Sequence, residues 1–327
     1  MIRVHTEPSL ALIKYWGKAD GGVNLPATTS LAVSLGGLST VTEIQAGESR
    51  TEDAADTIRI NKVQVHDPKI HGFLQHVRRT YPALRNLGFA ISTTNSFPTA
   101  AGIASSSSGF AALAIGITRA AGLKLSALEL SELARHGSGS AARAVYGGFT
   151  SFPAGSETAH QLFDHTHWPE LRIVVIMVHA GAKPIGSREA MERTRLTSPY
   201  YRQWIEASRE LEAPALNALK SRNLADLGPI MRRSYLSMFG SMLAADPGVV
   251  YWLPESIRLI HSVAEWRKAG MPVWETMDAG PQVKLVTTAD HLPSIESHLR
   301  SEFPRLAYLT ASVGQGPVVD EHPGRSI

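Results

Sequence analysis

The pattern of apolar residues changes near residue 180, and this change constrains the fold more than any other feature. Before it, short segments with alternating or β-branched residues predict strands, as around Leu31 and Val33. After it, apolar residues at helical spacing predict long helices over 188–220, 223–243 and 254–268. We therefore expect an α+β protein of two domains, formed by residues 1–180 and residues 181–327.

Shorter signals predict further elements in the first half of the chain. Apolar spacing predicts a helix over 69–81, and a capping-box pattern at Ser126 predicts a second helix that is capped at Gly137. The polar segment 47–57 is typical of a hairpin tip. The continuous apolar run over 171–181 predicts a buried strand.

The composition is that of an ordinary globular protein, and it excludes several kinds of site. The 327 residues are 43% hydrophobic and 19% charged, with a net charge of +3. There is no cysteine, which excludes disulfides and thiolate metal sites. The Lys and Arg residues are scattered, which does not indicate a nucleic-acid partner, and no apolar run is long enough to span a membrane. The first residues lack the apolar core of a secretory signal, so we expect a cytoplasmic protein.

The most unusual stretch runs from Phe97 to Ile117 and contains four consecutive serines, Ser105 to Ser108. Its pattern predicts a strand, a loop of mainly small residues and then a helix that begins within the serines. Accessible backbone N–H groups, serine hydroxyls and a helix N-terminus together favour an anion such as phosphate. The residues alone leave open a flexible loop that only caps the helix.

Two standard nucleotide-binding motifs do not explain this stretch. The chain contains no G-x-x-x-x-G-K-[ST] sequence, which excludes a P-loop protein. Residues 137–142 (GSGSAA) match the loose dinucleotide pattern, but they follow a predicted helix where that fingerprint requires a strand. His165 and His167 supply only two potential metal ligands, so we assign them to a loop.

Four separated blocks of sequence indicate a family. They are ALIKYWGK (11–18), FPTAAGIASSSSGFAALA (97–114), GSGSAARAVYGGF (137–149) and DAGPQVKL (278–285). Together they resemble the signature of the diphosphomevalonate decarboxylases, which belong to the GHMP kinase superfamily. The resemblance implies the GHMP kinase fold, with an N-terminal domain like the second domain of ribosomal protein S5 and a ferredoxin-like C-terminal domain. It also implies a site in the cleft between them and a homodimer.

The resemblance further implies a reaction. Members of this family use ATP and Mg²⁺ to phosphorylate the tertiary 3-hydroxyl of mevalonate 5-diphosphate. Phosphate then leaves together with CO₂, which gives isopentenyl diphosphate and ADP. We therefore expect small molecules as partners, with no nucleic acid and no membrane.

Three residues match catalytic positions of the family. Asp278 is expected to face the 3-hydroxyl as a base or orienting group, because a tertiary alcohol is a poor nucleophile. Arg143 is expected to pair with the substrate carboxylate through its planar fork, and Lys14 is expected to approach the reacting groups. Without the matching blocks, Asp278 would more often make a local turn bond before Gly280 and Pro281, and Arg143 would more often lie on a helix surface.

The remaining assignments follow the same matches. The substrate-binding positions are Tyr15, Lys18, Ser138, Ser140, Ser187 and Arg188. The ATP-binding positions are Ala101, Gly102, Ala104, Ser105, Ser106 and Ser107. Ser106 is also expected to contact Mg²⁺, and Lys69 is a further cation by a looser match. Since the site must exclude water around ATP, we expect segments 98–109 and 183–190 to close over it.

Five residues depart from the usual family pattern: Ser9, Thr28, Gln282, Arg232 and Arg233. They leave the phosphorylation state of the substrate open, so mevalonate 5-phosphate is an alternative. A kinase that stops at the 3-phosphate is a second alternative. A non-catalytic nucleotide- or RNA-binding protein is a third, because the implied N-terminal domain resembles a ribosomal fold. The interspersed acidic and basic residues argue against this third alternative.

Overall fold

The computed structural model describes residues 1–48, 56–97, 105–181 and 183–321. The strands in these residues are β1 (Ile2–Thr6), β2 (Ser9–Ile13), β3 (Ser30–Gly36), β4 (Thr40–Glu48), β5 (Thr57–Ile60), β6 (Val63–Gln64), β7 (Leu87–Asn95), β8 (Phe149–Phe152), β9 (His160–Phe163), β10 (Leu171–Met177), β11 (Trp274–Met277), β12 (Val283–Thr288), β13 (Ala307–Val313) and β14 (Val318–Glu321). The α-helices are α1 (Pro68–Thr80), α2 (Ser105–Ala120), α3 (Ala127–Gly137), α4 (Ser187–Thr197), α5 (Tyr201–Lys220), α6 (Leu224–Leu243), α7 (Pro254–Lys268) and α8 (Leu292–Glu302). This mixture of helix and sheet agrees with the predicted α+β class.

The first sheet has the strand order β14-β1-β4-β7-β5-β6 and is antiparallel except where β5 lies parallel to β7. Helices α1, α2 and α3 share one apolar core with it. Helix α2 lies directly against β1 and β4. Gly116 permits this approach, because a Cβ at that position would lie 2.5 Å from Cδ1 of Ile44. The packing therefore sets where the serine-rich N-terminus of α2 lies.

The second sheet has the strand order β11-β12-β10-β13-β3-β8-β9, and β2 also pairs with β3. The predicted buried strand is β10, in the middle of this sheet. Its side chains alternate between two apolar cores: Ile173 and Val175 pack in one, while Val174 and Ile176 pack in the other. Helices α5 and α6 supply much of the first core, and α6 and α7 contribute to the second. Both faces of the strand are thus covered, which explains its uninterrupted apolar sequence.

Each sheet combines strands from both halves of the chain. In the second sheet, β3 pairs with β13 through Leu35 and Val313. In the first sheet, the C-terminal strand β14 pairs along β1, with Ile2 opposite Glu321. The strand neighbours of β10 are β12 and β13, so the expected division at residue 180 falls directly after a strand that pairs with later ones. That division stays a prediction.

Several predicted elements are confirmed. Helix α1 covers the segment predicted as 69–81, and α2 begins within the serines, at Ser105. Helix α3 has the expected capping box at Ser126, although Gly137 is its last helical residue and Ser138 is the C-cap. No helix in the described residues is both long and apolar enough to cross a membrane.

Two predictions about secondary structure are wrong. The helix expected over 188–220 is two helices, α4 and α5, because Pro199 disfavours helical geometry at Ser198, which has φ −78° and ψ 122°. Segment 47–57 does not join a hairpin, because β7 lies between β4 and β5 in the sheet. Residues 49–55 themselves lie outside the described residues.

Candidate active site

A cavity of about 470 Å³ collects described residues from seven separate segments of the chain. These segments are β2 with the loop after it, the start of α1, the N-terminal part of α2, the turn after α3, the start of α4 with the loop before it, α6 and the turn after β11. The predicted site residues at its wall are Lys14, Tyr15, Lys18, Ser105, Ser106, Ser138, Ser140, Arg143, Ser187, Arg188 and Asp278. Lys69, the cation with the looser match, lies there too. Ala101, Gly102 and Ala104 lie outside the described residues.

Asp278 directly follows β11 and is held by two lysines. Nζ of Lys14 lies 2.9 Å from Oδ1, and Nζ of Lys284 lies 3.2 Å from Oδ2. Burial by itself raises the pKa of Asp278, but the charges and hydrogen bonds of the two ammonium groups outweigh it and hold this pKa below its ordinary value. The carboxylate is therefore ionised and only weakly basic. This carboxylate is better suited to orient the hydroxyl of a substrate than to hold a proton taken from that hydroxyl.

Lys14 directly follows β2 and is only 1% exposed. Its ammonium donates to the carbonyl of Ala11 at 2.6 Å as well as to Asp278. Burial lowers the pKa of Lys14 to about 8, although the Asp278 carboxylate opposes this change. Its backbone is held on both sides, since its N–H donates to Oγ of Ser234 and its carbonyl accepts from Oγ1 of Thr28. Thr28, one of the departures from the family pattern, thus fixes the backbone of a site residue.

Arg143 follows a short 3₁₀ turn and is 3% exposed. One Nη donates to Oγ of Ser30 at 2.6 Å, while Nε has no hydrogen-bond partner in the described residues. Burial lowers the pKa of Arg143 to about 10, which still leaves it charged at neutral pH. A buried guanidinium with an unused donor at a cavity wall is suited to a carboxylate ligand.

The serines form a polar cluster at the N-terminus of α2. Oγ of Ser106 lies 3.5 Å from Oγ of Ser138, which lies 3.2 Å from Oγ of Ser140. Ser106 is exposed at the cavity wall, so hydroxyls and the positive end of the helix dipole meet there. Ser107, which is also predicted to bind ATP, is fully buried and donates to the carbonyl of Ser140 at 3.0 Å. It ties α2 to the turn after α3.

Tyr15 and Gly139 pack closely at the cavity wall. The Tyr15 ring stacks on Phe152, with centroids 6.1 Å apart. A Cβ at Gly139 would lie 2.3 Å from the Tyr15 hydroxyl oxygen, so this position requires glycine. The contact brings the 137–143 turn, with its two serines, against the loop that carries Lys14.

Two lysines at or beside the cavity were not predicted. Lys183 lines it, donating to Oγ of Ser187 at 2.9 Å and to the carbonyl of Ala279 at 2.7 Å. Burial lowers the pKa of Lys183 to about 8, and the charge of Lys284 contributes. Lys284 lies within the apolar run of β12 and contacts Asp278. A lysine within an apolar run is seldom buried unless it is paired, and this signal in the sequence could have identified Lys284.

Three other departures from the family pattern, Gln282, Arg232 and Arg233, have structural roles. The side-chain carbonyl of Gln282 accepts from the backbone N–H of Val178 at 2.6 Å, which fastens the end of β10 to β12. Arg232 lies 2.6 Å from the fully buried Glu275 and neutralises it. Arg233 pairs with Glu210 at the surface. Among the described residues that line the cavity, neither arginine is present.

Comparison with known proteins identifies relatives along most of the chain. Residues 6–163 match the family model of the diphosphomevalonate decarboxylase-like N-terminal domain, and residues 173–322 match that of the mevalonate 5-diphosphate decarboxylase C-terminal domain. The chain is 34% identical over 297 residues to a diphosphomevalonate decarboxylase of Aspergillus fumigatus, covering 84% of this chain and 73% of that protein.

Solved structures share the whole fold. A structure described as "MDDEF in complex with MVAPP, AMPPCP and Magnesium" is 34% identical, with a TM-score of 0.91 over 98% of this chain and 99% of that one. The mevalonate diphosphate decarboxylase of Staphylococcus aureus is 32% identical, with a TM-score of 0.90 and the same coverage. The α+β fold expected from the sequence is confirmed by this overlap.

Proposed function

Because the chain belongs to the diphosphomevalonate decarboxylase family, we propose that it catalyses the ATP-dependent decarboxylation of mevalonate 5-diphosphate. The products are isopentenyl diphosphate, ADP, phosphate and CO₂. One observation carries the proposal: an ionised carboxylate, Asp278, and a buried arginine with an unused donor, Arg143, line the same cavity as a serine-rich helix N-terminus. This set offers separate groups for a hydroxyl, a carboxylate and the phosphates of ATP.

The residues act in two stages. Asp278 accepts a hydrogen bond from the 3-hydroxyl and aligns it toward the phosphates at the N-terminus of α2. When this oxygen takes the terminal phosphoryl group of ATP, ADP departs and the hydroxyl proton is released to the solvent; the phosphorylated oxygen is then a good leaving group. Arg143 holds the substrate carboxylate so that its breaking bond lies in line with the departing phosphate, and Lys14 stabilises the negative charge nearby. The residues thus position charges and supply no covalent intermediate.

The cations at the cavity wall favour the diphosphate over the monophosphate. Lys18, Lys69, Lys183 and Arg188 all line the cavity in addition to Lys14. Burial and the nearby Arg188 lower the pKa of Lys18, which shows two cations close together. A second phosphate gives such a cluster more negative charge to bind. Mevalonate 5-phosphate stays the alternative substrate.

Mg²⁺ fits this site through the phosphates. The described residues contain no cluster of three or more His, Cys, Asp or Glu side chains that would hold a metal by itself. Mg²⁺ at phosphate sites keeps several waters and binds mainly phosphate oxygens, so such a cluster is not required. The exposed hydroxyl of Ser106 is the group that would contact it. When bound, the ion would neutralise charge on the transferred phosphoryl group.

An end-point assay tests the proposed function. The protein is incubated with ATP, Mg²⁺ and either mevalonate 5-diphosphate or mevalonate 5-phosphate, and ADP and CO₂ are measured separately. Equal amounts of both products from the diphosphate alone are expected. Turnover of the monophosphate alone would identify mevalonate 5-phosphate as the substrate. ADP without CO₂ would indicate a kinase, and the absence of both products would favour a binding protein.

Asp278→Asn tests the role of the carboxylate. The variant keeps the size of the side chain but loses its charge, so we expect it to fold and to lose at least about 10²-fold in kcat. Asp290→Asn, at an exposed position, serves as the matched control and should retain full activity. Near-normal turnover of Asp278→Asn would show that the assignment is wrong.

A homodimer, a cytoplasmic location and closure of segments 98–109 and 183–190 over ATP remain predictions from the sequence and the family. Size measurement by light scattering would test the first. Protection of the two segments from proteolysis on adding ATP and substrate would test the third.

A further inference from the structure

Both oxygens of the Asp278 carboxylate are held by buried lysines from distant parts of the chain. Lys14 contacts Oδ1 at 2.9 Å and Lys284 contacts Oδ2 at 3.2 Å. The lysine side chains are 1% and 2% exposed. The positions that match the family pattern include Lys14, but the match assigns no role to Lys284.

The backbone of Lys284 is rigidly placed. Strand β12 is paired on both sides, so Lys284 lies opposite Val175 of β10 and opposite Thr276 of β11. Asp278 lies two residues beyond Thr276, a diagonal separation across a strand pair that a long side chain can span. A strand paired on both sides cannot slide without moving its side chains to the other face. The ammonium of Lys284 is therefore confined to the region around Asp278.

Neutralisation of Asp278 does not require this second lysine. Lys14 already supplies one positive charge to the carboxylate, and the buried Arg143 adds another to its surroundings. A buried ammonium is costly unless it is paired, and Lys14, Lys284 and Asp278 taken together carry a net positive charge. Neutralisation of Asp278 therefore does not account for Lys284, whereas a fixed orientation of the carboxylate does.

We propose that Lys284 is a positioning residue that locks the orientation of the Asp278 carboxylate. With one lysine on each oxygen, the carboxylate cannot rotate about its Cβ–Cγ bond without breaking a charge-assisted hydrogen bond. It therefore presents one orientation to the tertiary hydroxyl of the substrate. The inference rests on the proposed function, because the orientation of the carboxylate matters for the hydroxyl that Asp278 aligns.

The first test compares Lys284→Met with Lys268→Met. Methionine keeps the length of the side chain but removes the ammonium. Lys268 also contacts a carboxylate, Glu265 at 2.8 Å, but at the surface. We expect kcat of Lys284→Met to fall about 10²-fold, the size of effect that a small misplacement of a reacting group produces, with KM for ATP unchanged. A wild-type kcat in a folded Lys284→Met protein would overturn the proposal.

A double-mutant cycle separates positioning from direct contact with substrate. Because Lys284 acts through Asp278, the added Lys284→Met substitution should cost nothing further in an Asp278→Asn background. If the same fold-loss is seen again in that background, Lys284 acts on the substrate itself and the proposal fails. Thermal unfolding of each variant verifies that a folded protein is compared.

A measurement without substrate distinguishes this proposal from the proposed function. The carboxylate of Asp278 is titrated by ¹³C NMR in the free wild-type, Lys284→Met and Lys268→Met proteins. Loss of a neighbouring cation should raise the pKa of Asp278 in Lys284→Met and leave it unchanged in Lys268→Met. The same pKa of Asp278 in all three proteins would contradict the contact between Lys284 and Asp278, and with it this proposal, even if the wild-type enzyme turns over its substrate. Should Lys284→Met not fold, Lys284→Gln is titrated and assayed in its place, with the same expectations.

Discussion

Buried cations dominate the chemistry of this site at the scale of single residues. Lys14, Lys284 and Arg143 are each at most 3% exposed, yet one carboxylate, Asp278, lies among them. Burial disfavours every one of these charges, so an anionic ligand that neutralises them gains more here than it would at a surface. The same burial lowers the pKa of Lys14 to about 8.

This titration predicts the pH dependence of activity. The pKa values of Lys14 and Lys183 lie at about 8, below that of an ordinary lysine, because burial disfavours the charged form. Both are charged below this pH and lose their charge above it, so kcat/KM should be level below about pH 8 and fall above it. In kcat the fall should lie at higher pH, because bound anionic substrate favours the charged lysines. A kcat/KM profile that stays level to about pH 10 would contradict this account.

At the scale of elements, the loop after β2 depends on helices from the second half of the chain. Ser234 of α6 accepts from the backbone N–H of Lys14 at 2.9 Å, and the indole N–H of Trp204 in α5 donates to the carbonyl of Trp16 at 2.9 Å. Gly17 follows with φ +105°, a conformation that favours glycine. The predicted substrate-binding residues on this loop, Tyr15 and Lys18, are therefore held by contacts distant in sequence.

Gly17→Ala tests this anchoring. The new Cβ would require a strained backbone and would lie 2.1 Å from the hydroxyl oxygen of Tyr201. We expect a loss of about 1–3 kcal/mol in the free energy of unfolding and a raised KM for mevalonate 5-diphosphate, because Lys18 moves with the loop. Gly72→Ala in α1 is the control, since no described atom outside the neighbouring helix backbone would lie within 4 Å of the new Cβ, and alanine favours a helix. Equal stability and KM in the two variants would contradict the anchoring role.

At the scale of the whole molecule, the two halves of the chain share both sheets. Besides the β3–β13 and β1–β14 pairs, the loop after β13 bonds to strand β3 and to the residue that precedes β8. The N–H of Gly148 donates to the carbonyl of Gly314 at 2.8 Å, and the N–H of Gly314 donates to the carbonyl of Ser34 at 3.0 Å. Since neither half completes its own sheet, we expect the halves to unfold together.

Gly147→Ala tests this junction. A Cβ at Gly147 would lie 1.9 Å from the backbone carbonyl oxygen of Gln315, and backbone cannot rotate away as a side chain can. We expect a loss of about 1–3 kcal/mol in the free energy of unfolding, measured in urea, with one transition retained. The matched control is Gly240→Ala, where the new Cβ would meet no atom of the described residues within 4 Å, apart from the neighbouring helix backbone. Two separate transitions in the wild-type protein would show that the halves are independent.

Local sequence patterns alone predicted much of the secondary structure, the family and most of the candidate site residues of this protein. A continuous apolar run predicted β10, and apolar residues at helical spacing predicted α1 and most of the later helices, because the 3.6-residue repeat is a property of the helix itself. The four sequence blocks indicated the family, and the cavity contains the described residues assigned from them, apart from the buried Ser107. Pro199 shows where attention to one residue would have corrected a predicted helix.

Only the tertiary structure decided which charges meet. Lys14 and Asp278 are 264 residues apart in the chain, and no local pattern pairs them or adds Lys284 to the other carboxylate oxygen. The same holds for Ser107, which the serine run groups with Ser106 but which the helix turns toward the interior. The periodicity of side chains along one element predicts which residues share a face of it. Which residues of other elements they contact depends on how distant strands and helices pack.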